Sequence, residues 1–376
     1  MQTTQLDYHF DETLVATTPV HPREDARLMV VNRSLQTIEH ASIGDLARYI
    51  DAGDRLILNR SSVLRARVLL ESNDTQRTTE GLLLEATATA DHWRMLMKHS
   101  KRFAVGNVMT LRNAHGALTD DTIHLVARDR EAWIVRVEAG AGGGSLAQIL
   151  ERSGHTPLPP YILSARKDAQ LEIDDDIDRV EYETVYADQL QRGSIAAPTA
   201  GLHFTHELLA TLAAQGVTQS EVVLHVGAGT FKPIACDDLH DHVMHHESFM
   251  VPRDTLRVLE SREFSTNPRA RGQRLIAVGT TSVRALESLP ATIFAANASA
   301  EIAHDGAYHG STQLLITPGH NFRYVDALLT NFHLPRSTLL ALVGAFAGME
   351  LMHEAYATAV RMRYRFYSYG DAMLIV

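Results

Sequence analysis

The feature that most limits how this chain can fold is a change of pattern between Arg65 and Val137. There RARVLLES, EGLLLEATATA, HWRMLMKH, NVMTLR, TIHLVAR and AWIVRVEA form short, often alternating segments separated by polar turns. Alternation with period two puts apolar side chains on one face of a strand, so these six segments predict an all-β unit. Their near-regular spacing suggests a small barrel or sandwich, since closing such a sheet on itself removes its exposed edges, and a barrel-like arrangement is the expectation. The run AGAGGGS, Ala139 to Ser145, marks the exit.

The flanking sequence reads differently. Before the β stretch, RLMVVNR and RLILNR are strand-like, with the helix-like IGDLARYIDAG between them. After it, Ser145 is placed to cap a helix that Gly154 stops, and Thr205 and Gly216 bracket HELLATLAAQ in the same way. VVLHV and RLIAV each run into a glycine turn, the second followed by VRALESL. Alternating strands and helices favour an α/β layer. The chain's 376 residues exceed the size at which one core stops growing. The expected architecture is a mixed α/β main domain, discontinuous over residues 1–62 and 145–376, with an all-β, barrel-like domain inserted at 63–144.

With 45% hydrophobic and 21% charged residues the composition is that of a packed globular protein. The single cysteine, Cys236, permits no internal disulfide or cysteine zinc site, and the first residues lack a basic segment followed by an apolar run. Both point to a cytoplasmic protein. The most apolar later stretch, Leu339 to Met349, is too short to cross a bilayer and reads as a buried helix, so no membrane partner is expected. A net charge of −10 gives no general nucleic-acid footprint. Lys98, Lys101 and Arg102, or Arg361, Arg363 and Arg365, can still form local phosphate contacts or simply sit as solvated cations beside acids.

Several segments carry potential chemistry. In RLIAVGTTSVRALES, Gly279, Thr280, Thr281 and Ser282 lie between strand and helix, where free amides and hydroxyls can hold a carboxylate or phosphate; a plain helix cap is the simpler reading. In VVLHVGAGTFKPI, Gly227 and Gly229 let backbone approach a flat ligand that Phe231 can cover, or they make a tight turn above a core phenylalanine. HDHVMHHE contains His240, His242, His245, His246 and Glu247, yet it is not HExxH, and a hydrogen-bonded cluster without metal is favoured. His203 and His333 occupy apolar segments where a buried imidazole must find a partner or titrate, and Glu247 and Asp371 add further proton carriers. No GxSxG or Cys/His pattern supports a hydrolytic triad.

Taken together, these blocks resemble the S-adenosylmethionine:tRNA ribosyltransferase-isomerase family of queuosine biosynthesis. The resemblance rests on LPPYI from Leu158, ETVYA from Glu183, GSIAAPTAGLHFT from Gly193, LHVGAGTFKPI from Leu224 and HVMHHE from His242. It continues through AVGTTSVRALES from Ala277, VDALLTNFHLPRSTLLALVGAFAG from Val325 and YRFYSYGDAMLI from Tyr364. It implies that S-adenosylmethionine, a co-substrate rather than a resident cofactor, donates its ribosyl group to 7-aminomethyl-7-deazaguanine at the wobble position of tRNA. The products would be epoxyqueuosine, adenine and methionine. No metal is implied, and a monomer is expected.

Such a reaction needs a base, an acid for departing adenine and electronegative groups around the sulfonium. On that reasoning His203, His245, Glu247, His333 and Asp371 are the proton-transfer candidates. Thr280, Thr281, Ser282 and Arg284 would hold the methionine carboxylate or a tRNA phosphate, and Gly227, Gly229, Thr230 and Phe231 would surround the nucleoside. Asn331 and Phe332, from the first half of TNFHLPRST, complete the ligand-facing set. The chain departs from the family where Asn59, Arg60, Ser61 and Ser62 replace the usual Asn-Asp-Thr-Arg, and where Lys98, His99, Ser100 and Lys101 replace Arg-Pro-Gly-Lys. These departures leave open a paralogue that uses S-adenosylmethionine with a different, small-molecule acceptor.

Overall fold

The computed structural model describes residues 1–171, 174–227, 234–263, 273–294 and 302–376. Its compact units are Met1–Ser62 with Pro159–Glu172 and Glu183–Val376, and Val63–Leu158 with Ile173–Tyr182.

The first unit is built on a mixed nine-stranded sheet. From one edge the strands are Tyr308–Thr312, Glu247–Val251, Thr218–Leu224, Arg55–Asn59, Leu275–Val278, Ala327–Asn331, Ala372–Ile375, Arg27–Asn32 and Thr37–Ser42. Thr218–Leu224, Arg55–Asn59, Leu275–Val278 and Ala327–Asn331 run parallel, whereas Ala372–Ile375 runs against Ala327–Asn331. Leu275–Val278 and Ala372–Ile375 are apolar throughout, because both faces of the sheet are covered there. Side chains alternate: Met29, Val31, Ile57, Ala277, Leu328 and Met373 enter one core. Their neighbours Leu28, Val30, Leu56, Val278, Leu329 and Leu374 enter the other.

The helices Arg253–Glu263, Thr280–Glu287, Thr338–Ala347 and Met349–Arg361 supply buried residues to the first core, and His206–Ala214 supplies Leu208, Leu209 and Leu212 to the second. Ser337 caps the helix at Thr338 by accepting from the Leu340 amide, and Gly348, at φ 88°, ends it. At Gly344 an added Cβ would lie 2.6 Å from the Met349 sulfur, so a larger residue would have to displace that side chain. IGDLARYIDAG is helical only as a short 3-10 segment, Ile43–Arg48, closed by a Ser42–Asp45 capping box.

The second unit contains the strands Arg67–Ser72, Thr78–Ala86, His92–Met97, Val108–Arg112, Leu118–Asp129 and Ala132–Glu138, one in each segment identified by alternation. They pair antiparallel, and Arg67–Ser72 also pairs with Val108–Arg112, so the pairing returns to its first strand. The helix Leu146–Ser153 belongs to this unit rather than to the α/β unit. Its Ile149 and Leu150 pack with Val68, Leu70 and Trp133, and Gly154–His155 pairs with Val68 and Arg67. Gly154 ends the helix in an extended rather than left-handed conformation; its small size is what matters, since a Cβ there would meet the Arg65 carbonyl at 2.2 Å. No helix among the described residues is long and apolar enough to cross a membrane.

Candidate active site

Parallel strands deliver their carboxyl ends, and the loops that follow, to one edge of a sheet. Here Gly279–Thr281 follows Leu275–Val278, Phe332–Leu334 follows Ala327–Asn331, and Val226 follows Thr218–Leu224. The antiparallel Ala372–Ile375 brings its preceding residues, Tyr367 and Ser368, to that same edge. These segments, with Ala196–Ala200 and Tyr161, line a cavity of about 690 Å³ including its open mouth.

Gly279 adopts φ 87°, a left-handed value that glycine tolerates, and so turns the strand directly into the helix Thr280–Glu287. Thr280 and Thr281 line the cavity. On the cavity wall the Thr281 hydroxyl is buried without a hydrogen-bond partner. Ser282 is placed differently: its hydroxyl donates to the Val278 carbonyl at 2.8 Å, inside the fold. Thr281→Val should therefore leave stability unchanged or slightly raised while increasing KM about five- to tenfold. Ser282→Ala should cost about 1 kcal/mol of stability and leave KM alone. Denaturant titration beside steady-state kinetics checks both, and equal KM values for the two variants would refute the distinction.

Asn331 is held on three sides. Its Nδ2 donates to the Tyr367 carbonyl at 3.0 Å and lies 3.2 Å from His203 Nε2, while its Oδ1 accepts from Thr199 at 3.0 Å. With Nδ2 as donor, Nε2 of His203 is the acceptor. His203 does not line the cavity; it stands behind Asn331, and burial, reinforced by Arg23 and Arg365, lowers its pKa to about 4. His333 does line the cavity, with Nε2 2.9 Å from the Thr330 hydroxyl. Burial lowers its pKa to about 3, so both imidazoles are neutral near pH 7. The backbone of His333 is clamped by the Tyr8 and Tyr356 hydroxyls.

Phe332 contributes backbone to the edge, but its ring is fully buried against Tyr356, Tyr364 and Phe366 and serves the core. Asp371 is also away from the cavity. Its two oxygens accept from the Arg27 and Arg365 backbone amides, joining a strand start to a turn, and burial raises its carboxyl above the usual range. Gly229, Thr230 and Phe231 lie outside the described residues.

The histidine-rich segment disperses. His240 sits on Asp238, His246 is 3.2 Å from the Ser311 hydroxyl, and among the described residues no three His, Cys, Asp or Glu side chains converge as a metal site. Glu247 accepts from the Gly227 amide at 2.9 Å and from Arg284 Nη1. With His242 and His245 this pair lines a second cavity, and Leu339 lines both cavities.

Tyr161, Thr199, Thr330, Tyr367 and Ser368 also line the first cavity although no local pattern singled them out. Each lies inside a block that carried the family resemblance. Tyr161 shares a 2.6 Å hydrogen bond with Ser368, and its ring lies 4.5 Å from that of Tyr367. Asn59 is bound to the Leu224 backbone in both directions, and Arg60 pairs with Glu221, so this departing segment braces the sheet.

A family model described as queuosine biosynthesis protein matches residues 3–375. The S-adenosylmethionine:tRNA ribosyltransferase-isomerase of Thermotoga maritima is 41% identical over 377 aligned residues, and that of Sulfurihydrogenibium sp. 39%, each covering 100% of both chains. A crystal structure of S-adenosylmethionine tRNA ribosyltransferase from Thermotoga maritima matches 99% of this chain and 100% of its own, at 34% identity and a TM-score of 0.50. End-to-end matches of this kind place the chain in the family of S-adenosylmethionine:tRNA ribosyltransferase-isomerases of queuosine biosynthesis, to which it belongs.

Proposed function

We propose that this chain transfers and isomerises the ribosyl group of S-adenosylmethionine onto 7-aminomethyl-7-deazaguanine at the tRNA wobble position, giving epoxyqueuosine, adenine and methionine. The observation that carries this reading is the cavity at the carboxyl ends of the parallel strands. It combines a helix N-terminus, an unpartnered threonine hydroxyl and a neutral histidine with small residues from Ala196 to Ala200. Small residues let backbone approach a flat nucleoside, and fixed dipoles hold its polar groups without reorganising. His333 is the one of the five proton-transfer candidates that lines this cavity. Unprotonated, it is suited to accept a hydrogen bond from the attacking amine and so orient it toward the ribosyl carbon. His203 and Asp371 then act as positioning residues, through Asn331 and through backbone amides.

Incubation with S-adenosylmethionine and tRNA bearing the aminomethyl base, followed by mass spectrometry of digested nucleosides, tests the reading. Epoxyqueuosine with equal adenine and methionine is the expected result. Adenine release that ignores the modified tRNA would transfer the reaction to a small-molecule acceptor, and absence of adenine would end the proposal.

Phosphate contacts for tRNA are expected on the second unit. Lys101, Arg102, Arg128 and Arg130 surround a surface hollow, with Arg128 stacked 3.8 Å from the Trp133 ring centre. The sequence concentrates positive charge here although the whole chain carries −10. Lys101→Ala with Arg130→Ala should weaken tRNA binding about tenfold and reduce the slope of log K against log salt by about 2. Unchanged salt dependence would remove this surface from the reading.

A further inference from the structure

We infer that the second cavity, beside the nucleoside site, binds the methionine carboxylate of S-adenosylmethionine through Arg284 Nη2; this rests on the function proposed above. Arg284 is 6% exposed. Its Nε donates to the Leu314 carbonyl at 3.1 Å and its Nη1 to Glu247, but Nη2 is buried without an acceptor. A buried guanidinium donor left unmade is costly, and a carboxylate is the acceptor that best matches its planar fork.

The surroundings fit the rest of a methionyl chain. Beside Arg284 the cavity is walled by Leu314, Leu315, Ile316, Leu339, Leu342 and Met244, an apolar lining suited to the methylenes between the carboxylate end and the sulfonium. His242 lines the same cavity as the Glu247–Arg284 pair.

The helix Thr280–Glu287 lines both cavities. Thr280 and Thr281 line the first cavity and Arg284 the second, about one helical turn further on, a rise of about 4.5–6 Å. Leu339 lines both. The hydroxyl-bearing helix start is thereby freed for the nucleoside, and the carboxylate goes one turn deeper.

Ligand substitution in the unaltered protein tests this without risk to folding. Equilibrium binding is measured for S-adenosylmethionine, its decarboxylated analogue and 5′-methylthioadenosine. The analogues lacking the carboxylate should bind at least about tenfold more weakly, the value of a charge-assisted hydrogen bond. Arg284→Lys, which keeps the charge but loses the fork, should shrink that gap to about threefold or less. Equal binding of S-adenosylmethionine and its decarboxylated analogue would overturn the inference while leaving the proposed function standing. Failure of S-adenosylmethionine itself to bind would remove the proposed function and this inference together.

Discussion

Glu247→Ala is expected to destabilise the protein by about 3–5 kcal/mol, because it leaves the Arg284 guanidinium buried without its counter-charge. The two side chains are 4% and 7% exposed, so solvent cannot replace the missing carboxylate. The Gly227 amide would lose its acceptor as well. A paired change, Glu247→Met with Arg284→Met, should recover stability to within about 2 kcal/mol of the original, since two apolar groups of similar volume leave no charge to solvate. Adenine release should be lost in both variants, separating what the pair does for folding from what it does for substrate. Urea unfolding of the three proteins measures this. A cost below about 1 kcal/mol for Glu247→Ala would show that water or a rearranged partner reaches Arg284.

The second large effect is acid sensitivity. His203 and His333 have folded pKa values of about 4 and about 3, both below the unfolded value near 6.5. As pH falls through 6.5 the unfolded chain takes up these protons while the folded chain resists them. Stability is therefore complete above pH 6.5 and declines toward pH 4 and 3. Between pH 7.5 and 5 each histidine should cost about 2 kcal/mol, so the two together cost about 4. His40, His155, His225 and His242 are shifted in the same direction, mainly by burial, and steepen the decline. Asp371 opposes it: its raised carboxyl pKa means that the folded chain gains a proton first at low pH. Guanidinium midpoints across this range should fall with pH, and His333→Gln should flatten the fall. A constant midpoint from pH 7.5 to 5 would mean that water reaches these imidazoles.

Much of the architecture was legible in the chain itself. Strand alternation and helix caps depend on neighbouring residues, so the six β segments, the Ser337-capped helix and the glycine turn at Gly279 could be read locally. The helix Leu146–Ser153 lies in the β unit, although its place after AGAGGGS suggests the α/β unit. Its sequence says that it has an apolar face, not which core receives Ile149 and Leu150.

The candidate site divides along the same line. Local sequence carries the family, the two central glycine- and histidine-bearing segments, and the threonine, asparagine and histidine at strand ends. Tertiary structure alone separated Thr281 from Ser282, adjacent residues pointing about 100° apart on one helix, one toward the cavity and one into the fold. It likewise put His333 on the cavity wall and His203 behind Asn331, turned the Phe332 ring into the core, and closed Arg284 onto Glu247 from 37 residues away. Residue type fixes what a side chain can do chemically. Which neighbour it meets depends on strand order and register, and those are set by burying both faces of the sheet at once.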